Sequence, residues 1–162
     1  MSQNNKSIEQ EVFELLKSKG KTFASAESCT GGNIAHRITL IPGSSEVFRG
    51  GAVTYATPTK TKVLGVPEAY IKSDGVVSRR VVESMAMGTR KLMEADFGVA
   101  TTGVAGPGGG TEATPVGTVW IGVTTPHATY SKLCLFGKGR SKVIRQATQE
   151  AYELLYEAIR RE

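Results

Sequence analysis

Residues 22–40 run Thr22-Phe23-Ala24-Ser25-Ala26-Glu27-Ser28-Cys29-Thr30-Gly31-Gly32-Asn33-Ile34-Ala35-His36-Arg37-Ile38-Thr39-Leu40. Thr22–Glu27 predicts a short strand, Ser28–Gly32 a turn, and Asn33–Leu40 a helix with Ile34, Ala35 and Ile38 turned inward. Working outward, Ser7–Lys19 predicts a preceding helix. Ser7 and Gln10 make a capping box, Ile8, Val12, Leu15 and Leu16 share one face, and Gly20 ends it. After Leu40, Pro42-Gly43 breaks the chain and Gly51–Tyr55 predicts a second strand. Thr57-Pro58 then starts a short helix that Gly65 stops. Ser78 caps a longer helix through Glu94, with Val81, Val82, Met85, Thr89, Leu92 and Met93 at helical spacing.

The second half reads differently. Phe97–Thr102 predicts a small-residue strand entering a Gly-rich loop. Gly117–Thr125 and Thr129–Phe136 predict strands joined by Pro126-His127-Ala128, short enough for a hairpin. Ser141 caps a last helix whose apolar stripe is Val143, Ile144, Ala147, Ala151, Leu154, Leu155, Ala158 and Ile159. Early strands alternate with helices and late ones form a hairpin, which predicts an α/β fold with a mixed sheet covered by helices. No internal repeat or linker divides the chain. Residues 1–162 are expected as one domain, with 1–6 a loose N-terminal tail.

Charge narrows the function. The chain carries 20 Lys+Arg against 15 Asp+Glu, a net +5. All the acids lie outside Ala113–Gln149, and that window holds Lys132, Lys138, Arg140, Lys142 and Arg145. The excess is therefore local, which argues against a cationic nucleic-acid coat and for a site that takes one small anion. No aromatic residues interleave with these bases as single-strand binding would require. No apolar run approaches the roughly 18 residues of a membrane span, and MSQNNKSIEQ lacks the apolar stretch of a signal peptide. Two cysteines, Cys29 and Cys134, make no disulfide framework, so a reducing cytoplasm is expected.

Glu27-Ser28-Cys29-Thr30-Gly31-Gly32 stands at a strand-to-helix junction, where backbone N–H groups point outward and glycines admit a ligand. Ser28 or Cys29 is a candidate nucleophile, with an oxyanion hole from the amides that follow. The same residues also make an ordinary capped turn over a buried Cys. The two histidines offer little as bases. His36 lies opposite Ile34 and Ile38, His127 sits in the hairpin turn, and neither has a carboxylate at suggestive spacing. Cys29-x6-His36 and His127-x6-Cys134 fit no zinc spacing, so no metal is expected.

A lysine base is the alternative. Tyr55 ends a strand and Lys60 lies in the first turn of the next helix, so both can face one end of the sheet. A Lys starts near pKa 10.4 and must fall to roughly 7–8 to act as a base, on the order of 4 kcal/mol, which burial away from carboxylates supplies. A Tyr hydroxyl beside it is a candidate relay; a solvated helical Lys is the plainer alternative. Gly103–Thr111 fits neither the dinucleotide nor the P-loop pattern and reads as a rigid loop shaping a pocket, or as a flexible surface loop. Arg140 and the amides near Ser141, at the positive end of the last helix, suit a phosphate, with Arg145 one turn on; an exposed basic helix entry is the alternative.

Together these stretches resemble the CinA C-terminal domain family, whose stand-alone members are nicotinamide-nucleotide amidohydrolases. The matching motifs are Ala26–Gly32, Pro42-Gly43-Ser44-Ser45, Gly50-Gly51 with Tyr55 and Lys60, Gly65-Val66-Pro67, Val76-Val77-Ser78, Thr102–Pro107 with Gly109-Gly110-Thr111, and Pro115–Val119. They run in order from about Ser7 to the C-terminus. The resemblance implies a three-layer α/β sandwich, a homo-oligomer, and cofactor-free hydrolysis of nicotinamide mononucleotide to nicotinate mononucleotide and ammonia. Its catalytic Ser, Lys and Tyr fall by motif position on Ser28, Lys60 and Tyr55. The expected substrate contacts are the backbone around Thr30, Gly31 and Gly32 for the oxyanion, Thr102, Gly103 and Gly106 lining the pocket, and Arg140 on the phosphate.

The chain departs from the family at three places. Thr57 stands where members often have Asn, Thr114 where many have Lys, and Gly139 where an Asp often precedes the Arg. Two other functions fit the residues. One is a nucleotide-binding module in which these three changes mark lost catalysis. The other is an accessory protein of DNA uptake or damage response.

Overall fold

Ser7 and Gly20 bracket the first helix by their own chemistry. The computed structural model describes residues 5–162 and places α1 at Ile8–Lys19. Ser7 Oγ accepts the Gln10 N–H at 3.2 Å, and Gly20 adopts φ 64°, a left-handed conformation that side chains resist. The Gln10 side chain donates to Glu14 instead of returning to Ser7, so half of the expected capping box forms. Of the expected tail, residues 1–4 lie outside the described residues, and Lys6 pairs with Glu14 at 2.8 Å.

The chain continues through β1 (Phe23–Glu27), α2 (Asn33–Thr39), a 3-10 turn at Ser44–Glu46 and β2 (Phe48–Val53). Then follow α3 (Thr57–Leu64), α4 (Glu68–Asp74), α5 (Arg79–Leu92), β3 (Phe97–Gly103), β4 (Thr118–Thr124), β5 (Thr129–Leu135) and α6 (Arg140–Arg160). The sheet order is β2-β1-β3-β4-β5. β1 is parallel to β2 and β3, while β3–β4 and β4–β5 are antiparallel. The mixed sheet between two helical layers is the predicted three-layer α/β architecture.

Four local expectations need correction. β2 starts three residues and ends two residues before the Gly51–Tyr55 prediction, because its ladder with β1 starts at Phe23↔Phe48 and includes Gly50 and Gly51. Those glycines are needed inside the strand: a Cβ at Gly51 would come within 2.2 Å of Ser25 Oγ. α3 is capped by the Ala56 backbone, with Thr57 already helical. α6 is capped by Gly139, so Ser141 is a helical residue and not the cap. α4 was not predicted, for it is seven residues long and no side chain caps it.

Each sheet face has its own core. Phe23, Phe97, Val99, Val119, Ile121 and Val123 pack with α1, α2 and α6 through Val12, Leu16, Ile34, Ile38, Val143 and Leu155. The other face offers α5 small residues: Ala26 and Ala100 meet Val81, Val82, Met85 and Ala86. At Gly98 a Cβ would sit 2.2 Å from the Ala86 carbonyl oxygen, which is backbone and cannot swing aside. Gly98→Ala should therefore destabilise the fold by about 1–3 kcal/mol through overpacking, read as a lowered urea midpoint. Gly108→Ala, with nothing within 4 Å of the added carbon, is the matched control and should leave the midpoint unchanged. No helix among the described residues is long and apolar enough to cross a membrane.

Candidate active site

β1, β2 and β3 are mutually parallel, so their C-terminal ends open at one edge of the sheet. Ser28 follows β1, Thr54 and Tyr55 follow β2, and β3 ends in Thr102 and Gly103. Segments far apart in sequence are thereby delivered to one place, the edge at which open α/β sheets bind ligands. A cleft of about 460 Å³ lies there, and Ser28, Tyr55, Lys60, Thr102, Gly103, Gly106 and Arg140 all line it.

Lys60 is the residue whose setting departs furthest from that of an ordinary surface lysine. α3 turns it inward with Leu64, and it is 1% exposed. Its Nζ donates to Ser28 Oγ at 3.0 Å and to the Thr54 carbonyl oxygen at 2.6 Å. No carboxylate bonds it among the described residues, and burial pushes its pKa down from the usual lysine value. Lys60 is thus buried, and the plainer alternative of a solvated helical lysine does not hold.

The neighbouring thiol is in the opposite condition. Burial pushes Cys29 up to about 12, with the Glu27 charge adding to the effect, so it stays a thiol at neutral pH. Of the two candidate nucleophiles, Ser28 is the one bonded to Lys60 Nζ. Glu27, unassigned from the sequence, is buried, and Oε1 accepts from Thr30 Oγ1 at 2.6 Å and the Ile34 N–H at 2.8 Å. Its Oε2 accepts the Ala35 N–H at 3.2 Å. A carboxylate on the first amides of α2 holds the Ser28 turn against that helix. An acid at the end of an apolar strand, seven residues before an inward Ile, was the available signal.

The structure separates Thr30, Gly31 and Gly32 from the cleft. They line a shallower hollow with His36, Ser141 and Arg145. The Gly31 N–H is committed to the Ser28 carbonyl oxygen at 3.0 Å, and the Ser28 N–H to Thr101 at 3.2 Å. Neither histidine lines the cleft; His127 contacts Glu162 at 2.6 Å. No group of three His, Cys, Asp or Glu close enough to hold a metal occurs among the described residues.

Arg140 and Tyr55 meet each other. Arg140 Nη1 donates to the Gly106 carbonyl oxygen at 2.7 Å and Nη2 to Tyr55 Oη at 2.9 Å. Gly106 sits at φ 83° with Val116 packed where a Cβ would go, so the loop turns there only as glycine. Thr102 Oγ1 donates to the Val76 carbonyl oxygen at 3.0 Å, drawing residues 76–77 into the cleft wall. Thr57 and Thr114, two of the departures, line the cleft, as does Asp74, which the sequence did not single out. Within the basic window, Lys132 is paired with Glu150 at 2.8 Å, and Arg140 lines the cleft while Lys132, Lys138, Lys142 and Arg145 do not.

The relatives agree with this architecture. A "CinA-like protein" of Flavobacterium psychrophilum is 42% identical over 157 residues, covering 97% of this chain and 38% of that protein. The chain thus spans little more than a third of the length of the curated relatives it matches. A solved competence/damage inducible protein, CihA, from Agrobacterium tumefaciens superposes with a TM-score of 0.91 at 35% identity, over 99% of both chains. A CinA superfamily protein from Klebsiella pneumoniae gives 0.91 at 30%, over 96% of this chain and 97% of that one. The family model for the CinA C-terminal domain matches residues 5–159. With a family model that matches nearly the whole chain and solved relatives that superpose over its full length, this chain belongs to the CinA C-terminal domain family.

Proposed function

We propose that the protein is an amidohydrolase that converts nicotinamide mononucleotide to nicotinate mononucleotide and ammonia, with Ser28 as nucleophile and Lys60 as base. The observation that carries this reading is the buried Lys60 Nζ set 3.0 Å from Ser28 Oγ in a cleft that also presents Arg140. Neutral Lys60, aimed by the Thr54 carbonyl, takes the Ser28 hydroxyl proton as Oγ attacks the carboxamide carbon. The C–N bond then breaks, Lys60 returns the proton to the leaving nitrogen, and ammonia departs. Water repeats the sequence on the ester: its oxygen attacks the carbonyl carbon as its proton goes to Lys60, the carbon–Oγ bond breaks, and Lys60 returns that proton to Oγ, restoring Ser28. Because the Gly31 N–H is bonded to the Ser28 carbonyl and Cys29 lines the cleft, the oxyanion would be held by the backbone at the Cys29 end of the turn.

Arg140 would hold the 5′-phosphate. A phosphate bound away from the scissile bond positions the amide, so its loss lowers turnover as well as affinity. The test is ammonia release from the purified protein on nicotinamide mononucleotide and on nicotinamide riboside. Arg140→Ala should lower kcat/KM for the nucleotide roughly 10- to 100-fold and barely affect the riboside. Equal losses on both would remove the phosphate role. Absence of ammonia release by the wild type would remove the activity.

A further inference from the structure

We propose that Tyr55 acts through Arg140, as a positioning residue for the substrate's phosphate, and not as a proton relay to Lys60. The inference rests on the reading of Arg140 as the phosphate ligand. Three observations support it.

First, the Tyr55 hydroxyl is already engaged. It accepts from Arg140 Nη2 at 2.9 Å, and among the described residues it makes no hydrogen bond to Lys60 or Ser28. Tyr55 is 59% exposed, a setting suited to a group that meets an entering ligand at the rim. Second, a relay is redundant, because Lys60 Nζ reaches Ser28 Oγ directly and is aimed by the Thr54 carbonyl. Third, Arg140 needs orienting. It is the first residue of α6, behind Gly139 and without a side-chain cap, and its long side chain has many rotamers.

Tyr55 and the Gly106 carbonyl fix the guanidinium from two segments remote in sequence, 85 and 34 residues away. Those bonds use two of its five N–H groups and leave three for an anion. Tyr55 Oη accepts from Arg140 and so keeps its own proton to donate to the same phosphate. The pair forms a preset anion clamp, in which the tyrosine contributes orientation and one donor.

Tyr55→Phe separates the roles, since it removes only the hydroxyl from a half-exposed ring. With positioning, kcat/KM for nicotinamide mononucleotide falls roughly three- to tenfold, the worth of one or two hydrogen bonds. Parameters for nicotinamide riboside then stay within about twofold, inhibition by inorganic phosphate weakens by the same factor as the nucleotide, and the pH profile of kcat is unchanged. An equal fall in kcat on both substrates, with a displaced pH profile, would overturn the proposal in favour of a relay. No change on either substrate would overturn it as well. Failure of the underlying reading shows in the wild type instead: equal kcat/KM for nucleotide and riboside, with no inhibition by phosphate, removes the phosphate site itself.

Discussion

Ser28→Ala is expected to lower ammonia release on the order of 10⁴-fold or more, while the variant still folds and binds nucleotide. Alanine removes the hydroxyl and keeps the turn: the Ser28 backbone bonds to Thr101 and Gly31 are untouched. Cys29 should not take over the attack. The thiol next door is buried and held near 12, so its thiolate fraction at neutral pH is negligible. Cys29→Ala should accordingly keep its activity within about tenfold, with a modest stability loss from the vacated core volume. Turnover that survives in Ser28→Ala and disappears in Cys29→Ala would reverse the assignment.

The second large effect concerns Lys60. Lys60→Met should reduce turnover roughly 10²- to 10⁴-fold, the contribution of a positioned general base, and it should also remove a pH dependence. Only the unprotonated amine can accept the Ser28 proton. Because burial lowers the Lys60 pKa, wild-type activity should rise with pH through a value below the ordinary lysine one and be lost on the acid side. Stability carries the same signature. The folded-state pKa lies below the unfolded one, so the unfolded chain binds the extra proton in the interval between them, and unfolding free energy rises with pH across it. The window runs from the lowered folded value up to about 10.4. The wild type should therefore gain unfolding free energy relative to Lys60→Met as pH rises across that window in urea titrations, a difference in which the buried thiols cancel; a difference that does not change with pH would mean that Lys60 is not the titrating group.

The elements with strong local chemistry were legible in the sequence because their determinants are local. α1 follows from Ser7, Gly20 and a 3.6-residue stripe, α5 from Ser78, and β4–β5 from two strand patterns around Pro126-His127-Ala128. The mixed sheet followed from their order. The misplacements occurred where a partner decides. β2 takes in Gly50 and Gly51 because β1 pairs there, and α4 forms without a cap beside α5.

By its residues alone the sequence determined the α/β class, most of the helix-to-strand order and the acid-free basic window, and its resemblance to the family grouped Ser28, Tyr55 and Lys60 as one expected site. It left open which of Ser28 and Cys29 reacts, whether Lys60 is a base or a surface charge, and what Tyr55 touches. Tertiary structure supplied the geometry on which those readings rest: Ser28 bonded to Lys60, Lys60 buried, and Tyr55 bonded to Arg140. Three parallel strands bring residues 28, 54, 55 and 60 to one edge, where burial raises the thiol, lowers the lysine and sets its Nζ against Ser28. The closing of α6 onto the Gly106 loop then joins Arg140 to Tyr55 and takes the tyrosine hydroxyl away from the lysine. Desolvation and long-range hydrogen bonds arise only when distant segments meet, so no window of sequence contains them.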